Sequence, residues 1–296
     1  MKVDVITLHA VQNYGSALQA FATQEIFKQH GCDVTIINYV RENVRPENLL
    51  KTWSKGNLMK AVVIFPTIVR WRKVFTRFIQ EHLNISDKVY TSEEDFTTYP
   101  LTADAYCTGS DQVWARSLKK SINERAWYLD FGLKNTIRIA YAVSFGHSYC
   151  PVEDDVLFKQ LVSRFSYVST REINGIRFCR ERGINAERCI DSTFLLSADH
   201  YIGLATNRKY QSDFAYLYLL NVGTPNEIHF NEVLKEINKK GYKAICTTAS
   251  GYSPAKEIYE GVVYDYASVE EWLSNILYSS IFFTTSFHGI VFALML

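Results

Sequence analysis

The sequence lacks several patterns that would mark a particular class of protein. Its six cysteines form no CxxC pair and no spacing typical of metal ligands, so we expect no metal site. There is no GxGxxG motif, which argues against a dinucleotide ligand. The net charge is only +1, so the chain as a whole has no field that attracts nucleic acid or an anionic membrane. We expect no nucleic-acid partner and no resident cofactor.

Long apolar segments are also missing. The run Ala61–Pro66 is too short to span a bilayer and is closely flanked by Lys60, Arg70 and Arg72. Met1–Ile6 leads directly into a predicted strand, without the apolar segment of a signal peptide. Most cysteines lie in apolar or strand-like runs, which predicts reduced, largely buried thiols. These features predict a soluble, cytoplasmic protein, and they leave peripheral association with the inner face of the membrane open.

What the sequence does contain is the alternation of short apolar runs and helical segments that is typical of α/β proteins. Val3–Leu8 and Cys32–Tyr39 predict buried parallel strands, and Ala17–His30 predicts the helix that joins them. Hydrophobic residues make up 47% of the 296 residues and charged residues 21%, as in ordinary globular proteins. The chain is therefore long enough to form one large domain or two ordinary ones.

The organisation of the chain is predicted from changes in this pattern. The polar, weakly patterned stretch Ser197–Ser212 marks a boundary between two Rossmann-like domains, residues 1–200 and 201–296. Between about residues 41 and 99 the alternation loosens, which predicts a helical insertion. Within it, Arg70–His82 is basic, aromatic and helix-like. This stretch could face a membrane or an acidic polymer, but the solvated face of an amphipathic helix is the simpler interpretation.

Polar side chains follow several predicted strands at the point where each strand ends. In an open parallel sheet these ends lie at one edge, where ligands bind. Together they supply a carboxylate, a guanidinium, an imidazole, hydroxyls and a helix N-terminus that favours anions. The candidate site residues are Asn13, Tyr14, Gly15, Ser110, Asp111, Gln112, Arg171, Glu172, Ser286, His288 and Gly289.

Each of these groups also has a purely structural interpretation. Ser110 or Asp111 could cap a following helix, and Ser286 could cap the last predicted helix. Glu172 could pair with Arg171 or simply begin the next helix. The combination of these polar types at several strand ends favours a functional site over capping alone.

Taken together, these segments resemble the polysaccharide pyruvyl transferase family, because they occur in the family's order from one end of the chain to the other. The resemblance is therefore far more specific than any single motif. The matching segments are Asn13-Tyr14-Gly15 with Leu18-Gln19-Ala20, Gly109 to Trp114, Tyr141 to Gly146, Ser169 to Glu172 with Gly175, Asp191 to Leu196, and Ser286 to Gly289.

The resemblance implies two Rossmann-like domains in a GT-B-like arrangement. It implies transfer of the enolpyruvyl moiety of phosphoenolpyruvate, the co-substrate, to sugar hydroxyls, which forms a pyruvate ketal and releases phosphate. The implied acceptors are cell-surface or exported polysaccharides or their lipid-linked precursors. The chain departs from the family where Ser192 replaces the usual Pro. It also ends at Leu296 within a predicted apolar helix, so we expect the second domain to be truncated.

Roles for the candidate catalytic residues follow from the charge of the donor. Phosphoenolpyruvate carries about three negative charges at neutral pH. We expect Arg171 and His288 to bind it together with the helix N-terminus after Ser286. Asp111 is the candidate carboxylate or base, and His288 is also a candidate acid because its ordinary pKa lies near working pH. We expect Asp111, Arg171 and His288 to share one interdomain groove, and the other candidates to contact substrate.

Two further functions fit the same sequence. A GT-B glycosyltransferase that uses a nucleotide sugar would also bind a phosphorylated donor at a helix N-terminus. A non-catalytic sugar- or phosphate-binding scaffold is the second alternative, although a scaffold has no need for a carboxylate, a guanidinium and an imidazole at three strand ends. The sequence leaves the acceptor sugar and the oligomeric state open.

Overall fold

The structure, a computed structural model, describes residues 1–115, 124–146, 155–248 and 259–296. The strands are β1 (Lys2–Ile6), β2 (Asp33–Tyr39), β3 (Ile85–Tyr90), β4 (Ala105–Gly109), β5 (Ile137–Val143), β6 (Tyr167–Thr170), β7 (Glu187–Arg188), β8 (Phe214–Leu219), β9 (Lys243–Thr248), β10 (Val263–Tyr264) and β11 (Ile281–Thr284). The α-helices are α1 (Tyr14–Gln29), α2 (Pro46–Ser54), α3 (Leu58–His82), α4 (Glu93–Thr98), α5 (Asp155–Val162), α6 (Ile173–Glu181), α7 (Ala198–Leu204), α8 (Phe230–Lys239), α9 (Val269–Tyr278) and α10 (Phe287–Met295).

The larger sheet has the strand order β3-β2-β1-β4-β5-β6-β7, and its strand pairs are parallel. Its central strands bury their apolar side chains completely, as Val3, Val5 and Cys107 show. Such runs are typical of parallel sheets that are covered on both faces. The order reverses between β1 and β4, so the carboxyl ends of these two strands form the switch point where α/β sheets bind ligands. The α/β prediction is confirmed.

The smaller sheet has the order β10-β9-β8-β11, and its strand pairs are also parallel. Helix α9 leads into β11 and begins with a capping box. The Ser268 Oγ accepts the Glu271 N–H at 3.1 Å, and the Glu271 carboxylate accepts the Ser268 N–H at 2.8 Å. These two bonds satisfy backbone donors that the first turn of a helix leaves unpaired.

The chain divides into two compact units. Unit 1 comprises residues 1–11, 16–42 and 79–196 and contains the larger sheet, whereas unit 2 comprises residues 12–15, 43–78 and 197–296 and contains the smaller sheet. Residues 43–78 therefore group with the second unit, although the sequence analysis placed them within residues 1–200. The reason is aromatic packing: Trp71 and Phe75 both contact the ring of Tyr14, which also belongs to unit 2.

The predicted helical insertion at residues 41–99 needs a correction, because β3 lies within it. Among the described strands, this one pairs only with β2 and forms an edge of the larger sheet. Its sequence, ISDKVY, contains three consecutive polar residues instead of forming an apolar run. An edge strand faces solvent along one side and tolerates polar residues, so the pattern expected of a buried strand is missing.

Helix α3 contains the predicted amphipathic stretch Arg70–His82. Trp71, Phe75 and Phe78 are buried, while the charged residues of this stretch face solvent or are half-buried. The interpretation as a solvated face therefore agrees with the structure for this half of the helix. The turns before Arg70 differ, because they expose apolar side chains. None of the described helices is both long and apolar enough to cross a bilayer.

The cysteines agree with the prediction as far as the structure describes them. Cys150 lies outside the described residues. The remaining cysteines are free thiols, and Cys107, Cys179 and Cys246 are buried. Burial raises the pKa of Cys107 and of Cys246 to about 12. These two thiols are therefore neutral packing groups near pH 7.

Asp4 is an unusual buried group in the centre of the larger sheet. Its side chain is about 1% exposed, and its carboxylate oxygens have no hydrogen-bond partner among the described residues. Burial raises the pKa of Asp4 from 3.8 to about 6, although nearby Lys2 lowers it. The charged form is therefore destabilised in the folded state, and Asp4 keeps its proton to a higher pH than an exposed aspartate does.

We expect Asp4→Asn to weaken the pH dependence of stability. Because the folded-state pKa lies above the unfolded value, the stabilising effect of the bound proton is complete below about pH 4 and is lost as pH rises through about 6. As the pH rises from 4.5 to 7.5, the free energy of unfolding of the variant should therefore increase by about 1–2 kcal/mol relative to that of the parent. Urea unfolding at both pH values measures this difference. Asp199→Asn, at an exposed position of α7, serves as control, and an equal effect of Asp4→Asn at both pH values would contradict the prediction.

Candidate active site

Asp111 lies directly after β4 and accepts hydrogen bonds from two elements. Its Oδ1 accepts the N–H of Gln112 at 2.8 Å and caps a short 3-10 turn, and its Oδ2 accepts the hydroxyl of Ser16 at 2.6 Å. The Nη2 of Arg171 lies 3.8 Å from Oδ1. Asp111 is buried, with 6% exposure. It therefore has the capping role that the sequence allowed and, in addition, a contact with the predicted guanidinium.

Arg171 lies at the end of β6, in the middle of three carboxylates. Its Nη1 donates to the Asp191 carboxylate at 2.8 Å and to the Ser110 carbonyl at 3.2 Å. Its Nε lies 3.5 Å from the Glu172 carboxylate. Burial disfavours the charged guanidinium, but Asp111 and Asp191 outweigh it, so the pKa of Arg171 is raised. The cluster contains three carboxylates and one guanidinium, and this local charge favours a cationic group over an anion.

Asp191 is a site residue that the sequence analysis did not single out. It is 2% exposed, and its Oδ1 accepts from the N–H and the hydroxyl of Thr193 at 3.1 and 2.8 Å. Its Oδ2 binds Arg171. The available signal was the segment Asp191 to Leu196, which matched a family motif but could not show which side chain the aspartate would bind.

Ser192 stands where the family resemblance implies Pro, and the backbone N–H of Ser192 makes a hydrogen bond. The N–H of Ser192 donates to the Ser110 Oγ at 3.0 Å, a bond that Pro could not make. The preceding residue, Asp191, has ψ 144°, which is the extended conformation that Pro also requires of its predecessor. The turn is thus compatible with either residue, and Ser adds one buried hydrogen bond.

A chain of buried hydrogen bonds links this turn to helix α1. Gln19 is fully buried; its Oε1 accepts the hydroxyl of Thr7 at 2.7 Å, and its Nε2 donates to Thr23 at 2.9 Å. Thr23 in turn donates to the Ser192 hydroxyl at 3.0 Å. Gln19 belongs to the segment Leu18-Gln19-Ala20 that carried the resemblance. Its side-chain hydrogen bonds connect helix α1 to Thr7, which follows β1.

Glu172 has both of the roles that the sequence left open. It lies next to Arg171 and occupies the N-cap position of α6, without a side-chain capping bond. Its Oε1 also accepts the hydroxyl of Ser144, at the end of β5. Gln112 is exposed, and Gly146 lies against its side-chain amide. The ends of β4, β5 and β6 therefore meet around Arg171.

In unit 2, Ser286 and the start of α10 form a second group of candidate residues. The Ser286 Oγ accepts the N–H of Gly289 at 3.2 Å and caps the nine-residue helix. A Cβ on Gly289 would collide with the hydroxyl of Thr284, so only glycine fits this turn. His288, 6% exposed, lies in the first turn, close to the positive end of the helix dipole.

His288 packs directly against Gly15, because a Cβ on Gly15 would overlap the imidazole ring. The structure thus brings together two candidates that are far apart in the sequence. Asn13 precedes this contact in the chain and is half-buried. His288 belongs to unit 2 and Asp111 and Arg171 belong to unit 1, so the expectation of one shared groove stays a prediction.

Tyr14 is a core residue in this structure. It has no solvent exposure, and its hydroxyl donates to the carbonyl of Ala267 at 2.7 Å. Its ring stacks on Trp272 at 5.3 Å and meets Tyr218 edge-on at 5.6 Å. Because Tyr14 is fully buried, its position does not support the direct substrate contact that we expect from the sequence. Its packed ring instead fixes the neighbouring Gly15.

Unit 1 is thus a doubly wound α/β unit with a buried acid-base cluster at the carboxyl ends of its strands, and unit 2 is a second parallel α/β unit. Residues 13–296 match the model of the polysaccharide pyruvyl transferase family, and the chain belongs to that family. A search of curated proteins finds no match.

Several solved structures share the general chain path at low identity. The Escherichia coli heptosyltransferase WaaC with ADP-2-deoxy-2-fluoro heptose is 12% identical, with a TM-score of 0.40, over 99% of this chain and 85% of the other. The UDP-N-acetylglucosamine 2-epimerase from Rickettsia bellii is 10% identical, with a TM-score of 0.48, over 97% of this chain and 74% of the other. At such scores these likenesses carry no functional argument, and the assignment depends on the family match.

We expect Arg171→Ala to destabilise unit 1 by about 3–5 kcal/mol, because it leaves the buried Asp191 and Asp111 carboxylates without their cation. The surface pair of Arg177 and Glu181, with both side chains 57% exposed, provides the control. Arg177→Ala should cost less than about 1 kcal/mol. Urea unfolding measures both changes. An equal loss of unfolding free energy in the two variants would show that the buried cluster contributes no more to stability than the surface pair.

We expect Gly15→Ala to displace the His288 ring and to destabilise the protein by about 1–3 kcal/mol through overpacking. Gly203, in α7, is the matched control because a Cβ there meets no atom within 4 Å. Gly203→Ala should leave stability unchanged or raise it by up to about 1 kcal/mol. Thermal unfolding and the NMR shifts of the His288 ring provide the measurements; unchanged ring shifts in Gly15→Ala would contradict the packing.

Proposed function

We propose that this protein is a phosphoenolpyruvate-dependent pyruvyl transferase that forms a ketal on a sugar of a cell-surface or exported polysaccharide or of its lipid-linked precursor. The single observation that carries the proposal is the family match over residues 13–296. The buried carboxylate cluster around Arg171 supports it further, because the reaction develops positive charge on the donor carbon.

The reaction requires a proton on the methylene carbon of phosphoenolpyruvate and two sugar hydroxyls on the neighbouring carbon. Protonation of the methylene carbon makes the neighbouring carbon oxocarbenium-like. The first hydroxyl then adds to this neighbouring carbon, phosphate leaves, and the second hydroxyl adds to close the ketal. One hydroxyl proton balances the proton given to the methylene carbon, and the other leaves with phosphate. A base for the hydroxyls, an acid for the carbon and a carboxylate near the cation are therefore needed.

Asp111 is the best candidate for the carboxylate or base. Its Oδ2 is held by the Ser16 hydroxyl at 2.6 Å, which fixes the orientation of the carboxylate. Asp191 and Glu172 add negative charge to the same cluster. This charge would stabilise an oxocarbenium-like centre more strongly than water could, because the cluster is largely buried.

The same charge changes the role that we assign to Arg171. Its guanidinium already faces three carboxylates, so it is a weak candidate for gripping a trianionic donor. We assign it to positioning Asp111 and Asp191. The donor phosphate fits better at the N-terminus of α10, where Ser286, His288 and the helix dipole offer hydrogen-bond donors and positive potential. His288 is then also the candidate acid.

The decisive experiment compares possible donors with the purified protein. Incubation with phosphoenolpyruvate and a panel of glycans should release phosphate and add one pyruvate ketal to a glycan, detected by mass spectrometry. Release of a nucleotide diphosphate from a nucleotide sugar, without reaction of phosphoenolpyruvate, would instead identify a glycosyltransferase. Binding of sugar or phosphate without any turnover would identify a scaffold.

We expect Asp111→Asn and His288→Gln each to lower kcat by about 10²–10⁴-fold, the usual contribution of acid-base and electrostatic groups. Asp199→Asn and His200→Gln, both on the exposed surface of α7, are the matched controls and should retain activity. Circular dichroism and unfolding curves show whether each variant is folded. Full activity in folded Asp111→Asn and His288→Gln would show that these residues have no catalytic role.

A further inference from the structure

The first three turns of α3 expose apolar side chains that the core of unit 2 does not need. Their exposure ranges from 48% at Val69 to 82% at Met59. We call this surface the α3 outer face. Its residues are Leu58, Met59, Val62, Val63, Phe65 and Val69. Single exposed apolar residues are normal, but six on one helix surface form a contiguous patch, which in soluble proteins marks an interaction site.

The outer face lies opposite the side of α3 that packs into unit 2. Successive residues of an α-helix are rotated by about 100°, so Ile64, Ile68 and Phe75 lie on one side and Val62 and Val69 on the other. The first three of these residues are buried. The packed side is anchored by Trp71, which contacts the rings of Tyr14 and Tyr266. The helix is thus apolar on two opposite sides over its first half, and only one side has a partner among the described residues.

The charged residues in the sequence around this face are all basic. No Asp or Glu occurs between Glu47 and Glu81. The cations in this stretch are Lys51, Lys55, Lys60, Arg70, Arg72, Lys73 and Arg77. Lys73 and Arg77 lie one and two turns after Val69 and continue the outer face. The Arg70 guanidinium lies 4.1 Å from the ring centre of Tyr266. An apolar patch followed by cations on the same helix surface is typical of helices that lie in a membrane interface.

We propose that the α3 outer face docks on the surface of an anionic lipid bilayer, with α3 parallel to the membrane plane. Leu58, Met59 and Phe65 enter the boundary between headgroups and acyl chains, and the cations contact lipid phosphates. Charge decides against a second copy of this chain as the occupant. A two-fold dimer would place the same basic surface against itself, and like charges would repel. This docking does not depend on the proposed catalytic activity.

The test is flotation of the purified chain with vesicles of phosphatidylcholine alone or mixed with phosphatidylglycerol. The parent protein should float with the mixed vesicles, and much less with the neutral ones or at high salt, because salt screens the cations. Met59→Glu combined with Val63→Glu should weaken binding by at least about tenfold, since it removes apolar contact and adds negative charge. Val156→Glu, at an 84% exposed position of α5, is the matched control and should bind as the parent does.

The cations are tested in the same way. Lys73→Gln with Arg77→Gln, the two cations that continue the outer face, should weaken binding to the mixed vesicles by about fivefold for each charge removed. Lys159→Gln with Lys235→Gln, two exposed lysines elsewhere in the chain, should leave it unchanged. Equal binding to neutral and anionic vesicles, or equal binding by the outer-face variants and their controls, would overturn the proposal. So would a dimer in light scattering that Met59→Glu dissociates while no vesicle binding occurs.

Discussion

The guanidinium of Arg171 connects three separate parts of unit 1. It contacts Asp111 after β4, Glu172 beside it at the end of β6, and Asp191 in the turn after β7. These carboxylates come close together because parallel strands end at the same edge of the sheet. Without a cation between them, their mutual repulsion in a buried place would destabilise the edge. The arrangement of the candidate site in unit 1 therefore depends on this one side chain.

Unit 2 is organised by a different constraint, the close approach of the backbone to large side chains. Gly15 leaves room for the His288 ring, and Gly289 leaves room for the Thr284 hydroxyl. The rings of Tyr14 and Trp272 stack beside the first of these contacts. Dense aromatic packing fixes the start of α1 and so keeps Gly15 in place. Close packing thus fixes the residues of the candidate anion site at α10, whereas ion pairs fix the residues of the site in unit 1.

These two kinds of site fit different parts of the proposed chemistry. The carboxylate cluster suits the positive charge that develops on the donor carbon, and the N-terminus of α10 suits the phosphate. A docking surface on α3 would bring an enzyme of this kind to a lipid-linked acceptor. The same chain would then combine catalysis and localisation in separate structural elements.

Much of the fold was predictable because short apolar runs and helix caps are local signals. The apolar runs of β1 and β2 predict these strands, and capping by Ser286 is one of the two interpretations that its position in the sequence allows. The edge strand β3 was missed because its polar residues remove the apolar signal. The membership of residues 43–78 in unit 2 was missed as well, because it depends on which aromatic rings meet in three dimensions.

The sequence by itself determined the α/β class, the polar strand ends and the family, since each is written in nearby residues or in their order. Only the tertiary structure decided that Arg171 binds Asp191, that Gly15 faces His288 and that one side of α3 stays exposed. The physical reason is that these contacts join residues far apart in the chain, and the order of strands and the packing of helices, not the local pattern, bring such residues together.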